Sequence, residues 1–235
     1  AIDLMKGMVV RLERGDPKTF KTYQDSISPL DVAEKWKREG ARFIHIIDLD
    51  AAMNVGSNLG IISELIQQVG IPVQVGGGIR SKKVAQGILK LDARRVIVAT
   101  MAFEMTSDLI NLLKEFGSDR IVVALDYLDD RVMVRGWKSS TEFTLKKAII
   151  KFLDLGVKNY LATSVSRDGL LSGPDYVTLK NVVEDTGADV FAAGGISSLE
   201  DLIKLKETGI KGVVIGKALY ENKFTLRDAI RIVEN

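Results

Sequence analysis

Short apolar runs alternate along this chain with longer stretches in which apolar residues return every three or four positions. The runs fall near Ala1–Ile2, Phe43–Ile47, Val73–Val75 and Val96–Val98, then near Ile121–Leu125, Asn159–Ala162, Val190–Ala192 and Gly212–Ile215. They are brief, rich in Val and Ile and continuous, as strands of a parallel sheet covered on both faces should be. Between them the spacing predicts helices, among them Pro29–Glu39, Asn58–Gln68, Ser107–Phe116, Leu145–Leu155, Tyr176–Glu184, Leu199–Glu207 and Thr225–Val233. Ser28 supplies an N-cap, Pro29 opens the first of these helices and Gly40 closes it. Strict alternation of strand and helix over 235 residues predicts the α/β class and fits a (β/α)8 barrel better than an open doubly wound sheet.

The pattern also repeats. Val75-Gly76-Gly77-Gly78-Ile79-Arg80 has an echo in Ala193-Gly194-Gly195-Ile196-Ser197-Ser198, each following an apolar run and opening a helical stretch. Gly77 aligns with Gly194 and Phe103 with Tyr220 at one offset, with no gap between them. The second loop of each copy is Ala99-Thr100-Met101 in one and Gly216-Lys217-Ala218 in the other. A half-domain duplicated in this way predicts a barrel of two (β/α)4 halves forming a single domain over residues 1–235, its first strand truncated at the start. Glycine turns before helices let backbone N–H groups close on an anion, and the helix start adds its dipole. One such motif alone is more often a bare strand-to-helix turn. Two in register predict two anion sites.

Three connections exceed what a link requires: Lys6–Ser28, Tyr127–Phe143 and Val165–Asp175. In a barrel they follow strands one, five and six and project from the rim that carries the active site. Arg131-Val132-Met133-Val134 alternates charged and apolar character, which predicts a small hairpin in the fifth loop. Asp3 ends the first apolar run and Asp126 the fifth. Duplication would set these two carboxylates opposite each other, where they could divide acid and base roles if their surroundings differ. Asp48 and Asp50 read as loop-fixing groups, and Arg167-Asp168-Gly169 as an anion-loop scaffold.

Composition narrows the chemistry. Cysteine is absent and His45 is the one histidine, set in an apolar run, so neither a thiolate nor a histidine zinc site is expected. The 33 basic and 31 acidic residues are interspersed and leave a net charge of +2, which is an ordinary surface rather than a nucleic-acid footprint. No stretch has the length of a membrane span.

Taken together, Ala1-Ile2-Asp3-Leu4, Val10-Arg11-Leu12-Glu13-Arg14-Gly15-Asp16, Gly76-Gly77-Gly78-Ile79-Arg80, Gly136-Trp137, Arg167-Asp168-Gly169, the second glycine turn and Gly216-Lys217-Ala218-Leu219-Tyr220 resemble the phosphoribosylformimino isomerase of histidine biosynthesis. The resemblance spans the whole chain. It implies a cytoplasmic, monomeric (β/α)8 barrel that converts the aminoaldose ProFAR to the aminoketose PRFAR by an Amadori rearrangement, without metal or cofactor. By position it implies Asp3 as base, Asp126 as opposed acid and Thr163 as a hydroxyl that assists. It places one substrate phosphate at Gly77, Gly78, Arg80 and Thr100, and the other at Asp168, Gly169, Gly194, Gly195, Gly216 and Lys217. Arg11 and Trp137 match residues on mobile loops that close over the ligand.

Two residues depart from the family pattern. Ser164 stands where many members have a carboxylate, which leaves Asp126 to supply the acid, and Leu170 replaces a usual threonine. The Thr163-Ser164 pair also resembles the sister cyclase of imidazole-glycerol-phosphate synthase, which needs an ammonia-delivering partner. Arg135 before Gly136-Trp137 resembles a dual-substrate version that also isomerises phosphoribosyl anthranilate. A barrel that binds bis-phosphates without catalysis is the reading of a different class.

Overall fold

The computed structural model describes residues 1–13, 16–22 and 27–234. Arg14 and Gly15 of the motif above lie outside the described residues. The described chain forms two compact units. The first comprises Ala1–Arg11 and Thr19–Val122, the second Leu12–Lys18 and Val123–Asn235.

In chain order the elements to the end of the first unit are β1 (Ile2–Met5), β2 (Met8–Glu13), β3 (Asp16–Thr22), α1 (Pro29–Arg38), β4 (Ile44–Asp48), α2 (Leu49–Met53), α3 (Leu59–Gln68), β5 (Val73–Gly76), α4 (Lys82–Lys90), β6 (Arg95–Val98), α5 (Thr100–Glu104) and α6 (Thr106–Phe116). Strands β1, β4, β5 and β6 pair in that order, all parallel. Every residue of β5 is buried, including Gln74, whose side chain bonds to His45 on β4. Ile2, Leu4, Ile46, Ile62, Leu65, Leu109 and Leu112 are almost wholly shielded and form the core between strands and helices. Helix α1 starts as expected: Ser28 accepts from the Asp31 amide, and the Asp31 carboxylate receives the Ser28 amide in return.

The second unit repeats the plan with β7 (Ile121–Leu128), β8 (Arg131–Val134), β9 (Ser139–Ser140), α7 (Leu145–Asp154), β10 (Asn159–Ser164), α8 (Tyr176–Thr186), β11 (Asp189–Ala193), α9 (Leu199–Glu207), β12 (Gly212–Val214), α10 (Lys217–Tyr220) and α11 (Leu226–Glu234). Strand order here is β7, β10, β11, β12. Phe152, Tyr160, Leu125 and Ile149 fill its core, with the Tyr160 hydroxyl donating to the Val157 carbonyl at 3.0 Å. Each unit therefore holds four β/α repeats, the duplicated half expected from the sequence. No described helix is long and apolar enough to cross a membrane.

The structure corrects the first and fifth strands. Neither ends at its aspartate. Strand β1 runs on to Met5 and turns through Lys6 and Gly7, both left-handed, into antiparallel β2. Strand β7 likewise runs on to Leu128 and turns through Asp129 and Asp130 into β8. Two-residue turns with positive φ match the twist of antiparallel strands, so both strands extend as hairpins. The fifth hairpin was expected. The first is a strand pair where a long loop was expected.

Candidate active site

The hairpins decide what surrounds each aspartate. In the first unit Asp3 pairs with Val10 across the ladder, which sets Arg11 at the next position of β2. The Arg11 guanidinium makes an ion pair with Asp3 through Nη1 and donates from Nη2 to the Ala1 carbonyl at 2.7 Å. Arg11 is therefore a buried strand residue, not the loop residue expected from the sequence. Because hairpin register fixes it, its position follows from β1 itself.

In the second unit the hairpin also sends a donor back to the aspartate, but a neutral one. The Trp137 indole Nε1–H donates to Asp126 Oδ2 at 2.7 Å. Burial pushes the Asp126 carboxyl above its ordinary pKa, and the hydrogen bonds from Trp137 and Thr163 only partly counter this. Asp126, Trp137 and Thr163 thus form one cluster, fed by β7, the hairpin and the adjacent strand β10. Ser164, the next residue of β10, is buried, and its hydroxyl lies 3.3 Å from that of Ser166. One aspartate is paired with a fixed cation and the other with neutral donors.

The glycine turns are congruent in detail. Gly77 and Gly194 have φ of +93° and +90°, and Gly78 and Gly195 +66° and +81°. A Cβ on Gly77 would stand 2.3 Å from the Asp48 carbonyl oxygen, and one on Gly195 2.4 Å from that of Gly173. Only glycine lets these turns pack so closely on the preceding loop. The residues before the second loops match too: Ala99 has φ −118°, ψ −97°, and Gly216 φ −115°, ψ −103°. Thr100 and Lys217 then open the short helices α5 and α10. In the second unit Lys217 Nζ donates to the Gly169 carbonyl at 2.8 Å, and the Gly194 turn packs on Asp168, so Asp168, Gly169, Gly194, Gly195, Gly216 and Lys217 gather in one place. In the first unit Gly77, Gly78 and Thr100 lie at the ends of neighbouring strands β5 and β6.

Two expectations shift. Arg80 spans the Ala51 and Ala52 carbonyls at 2.8 and 2.7 Å, closing the end of α2 against the Gly78 turn. Both of these contacts are to backbone carbonyls. The starts of the long helices are also occupied. Asp201 accepts from the Ser197 and Ser198 amides at 2.8 and 3.1 Å, from the Ser197 hydroxyl at 2.8 Å and from the Tyr176 hydroxyl. Burial pushes the Asp201 carboxyl up, but these donors outweigh it and hold it below the usual range. At the matching helix, the Lys82 amide donates to Asp108 at 3.0 Å. The sequence reading missed both carboxylates: the Ser198-x-x-Asp201 spacing of a capping box could have marked Asp201, while nothing in the sequence marks the reach of Asp108.

Asp48 and Asp50 fix loops, as expected. Asp48 accepts from the Ala51 and Asn58 amides at 3.0 and 2.7 Å and from the Asn58 side chain at 2.8 Å, while Asp50 accepts from the Lys6 amide at 2.5 Å. His45 is a packed strand residue bonded to Gln74 at 2.9 Å. Among the described residues, no group of three or more His, Cys, Asp or Glu stands where it could hold a metal ion.

Residues 1–225 match the family described as histidine biosynthesis protein. The chain belongs to that family. Its relatives within the family cover it almost end to end. The protein of Nitrosopumilus maritimus is 40% identical over 99% of this chain and 98% of its own length. That of Methanocaldococcus jannaschii is 41% identical over 100% and 98%, and that of Halothermothrix orenii 42% over 96% and 95%. All three are named as isomerases of 1-(5-phosphoribosyl)-5-((5-phosphoribosylamino)methylideneamino) imidazole-4-carboxamide. With family membership comes the (β/α)8-barrel class of two (β/α)4 halves that the repeat pattern predicted.

Proposed function

We propose that this chain is the aldose–ketose isomerase that its family relatives are named for, converting ProFAR to PRFAR, and that its two units act as a single barrel domain. The named substrate carries two phosphoribosyl groups, and the chain carries two congruent glycine turns with a helix-opening loop beside each. One phosphate is assigned to Gly77, Gly78 and Thr100, the other to Gly169, Gly194, Gly195, Gly216 and Lys217.

The observation that carries the assignment of the chemistry is the unequal pairing of the two aspartates. Asp126, half-buried and raised above its ordinary pKa, suits the acid that protonates the furanose ring oxygen and opens the ring to a Schiff base. Asp3, beside the Arg11 guanidinium, suits the base that takes the C2 proton, after which the enolamine ketonises. The Thr163 hydroxyl, bonded to Asp126, can help hold that carboxyl toward the ring oxygen. Trp137 is assigned a face of the bound imidazole once substrate is present.

The test is direct. Purified protein given ProFAR should change its absorbance, and the product should be consumed by a cyclase supplied with ammonia. Absence of any turnover, with the phosphate compound still bound, would favour the non-catalytic reading.

A further inference from the structure

The turn that joins β8 to its antiparallel partner β9 is strained and carries the contact to Asp126. Arg135, Gly136 and Trp137 follow one another with φ of +56°, +65° and +66°. Two of the three carry side chains, which enter the left-handed region only at a cost. What the backbone gains from this bend is the Trp137 indole laid against Asp126. The same indole nitrogen cannot hold the carboxylate and also move freely to cover a ligand.

We propose that Trp137 is a positioning residue for Asp126: in the free protein its indole N–H fixes the carboxylate through Oδ2, and it leaves that oxygen when substrate arrives, handing the carboxyl to the substrate ring oxygen. This rests on the isomerase reading for its second half only; the first half concerns the free protein. The groups around Asp126 are the neutral Trp137 and Thr163, with Ser164 next to Thr163 on β10. Strand β10 bears no charged side chain, while the β7–β8 turn carries Asp129 and Asp130, β8 carries Arg131, and the β8–β9 turn carries Arg135 and Lys138 on either side of Gly136 and Trp137.

A donor to a carboxylate favours its ionised form. Loss of the Trp137 bond on binding therefore makes Asp126 easier to protonate at the moment a proton is needed. The contact also explains why the strained turn holds its shape without ligand: breaking it relieves the backbone as the indole departs.

Two measurements test this. In the free protein, the Trp137 indole proton resonance, identified by its disappearance in Trp137→Phe, should move as Asp126 titrates and should lie flat across pH in Asp126→Asn. A flat signal in the wild type overturns the proposal, whatever the protein turns over. In kinetics, kcat/KM reports the free protein and kcat the bound one. Trp137→Phe should move the basic limb of the kcat/KM profile to higher pH, because Asp126 loses a donor to its charged form. The corresponding limb of kcat should stay where it is, because the indole has already left. A loss of amplitude with neither limb moved would mean a merely structural role, and equal movement of both limbs would mean that the indole stays; either result overturns the proposal. A titrating indole in a protein that does not turn over ProFAR supports the contact and rejects the isomerase reading instead.

Discussion

Replacing Gly77 by alanine should be among the most costly single changes to this protein, and its matched partner allows the cost to be separated into parts. Gly77 sits at φ +93°, where an L side chain costs about 1–2 kcal/mol. Its new Cβ would also meet the Asp48 carbonyl oxygen at 2.3 Å and the Asp48 amide at 2.7 Å. Both are backbone atoms at the end of β4, so strands must shift, and overpacking of this kind costs about 1–3 kcal/mol. The total is about 2–5 kcal/mol. At about 2–4 °C per kcal/mol for a chain of this size, the melting temperature should fall by roughly 10 °C. Gly194→Ala shares the left-handed φ of +90° but meets its nearest neighbour, the Ser164 carbonyl oxygen, at 3.2 Å, so it should lose only about 1–2 kcal/mol. Gly87→Ala lies within α4 with nothing inside 4 Å and should gain about 1 kcal/mol from helix propensity. Circular dichroism melts should rank Gly87→Ala, wild type, Gly194→Ala and Gly77→Ala from most to least stable. If Gly77→Ala melts within about 2 °C of wild type, or Gly194→Ala melts below it, the close-packing argument is wrong.

Asp3→Asn and Asp126→Asn should each cut kcat by at least about 10²–10⁴-fold with KM little changed, while Ser164→Ala costs much less; near-normal turnover by Asp126→Asn would move the acid to β10. Crystals grown in sulfate or phosphate should show anions at Gly78 with Thr100 and at Gly169, Gly195 and Lys217, and side chains blocking both loops would defeat the double-cradle assignment. His45 should make stability depend on pH. Burial first, with the charge of Arg11 adding to it, pushes it down to about 3, so between there and pH 6.5 the unfolded chain holds the extra proton. Stability should therefore fall by about 1.4 kcal/mol per pH unit as the solution is acidified through that window, and His45→Gln should flatten the slope in urea titrations.

The parallel strands were legible because burial on both faces leaves mostly apolar residues to write them with, the buried His45–Gln74 pair being an exception. The glycine turns were legible because the chain states them twice. The hairpin after β1 was not, since Met8-Val9-Val10 follows Lys6-Gly7 without the alternation that marked the fifth hairpin. Missing it displaced Arg11 from a strand to a loop. Helices α2, α5 and α10 have five residues or four, too few for any periodicity to appear. Arg80 could not be placed either, because its partners are carbonyls of a helix nearly thirty positions away, and nothing in a sequence marks a backbone acceptor.

The carboxylates seated on the starts of α4 and α9 bear on how a catalyst lets go. If helix amides alone held each phosphate, its departure would leave buried donors with no acceptor, and the loops would have to collapse or cling to product. Asp108 and Asp201 supply permanent acceptors beneath those turns. On the phosphate assignment proposed above, the vacated seats would keep their shape between one molecule and the next, and the grip on each phosphate would be limited to groups that water can satisfy when it leaves.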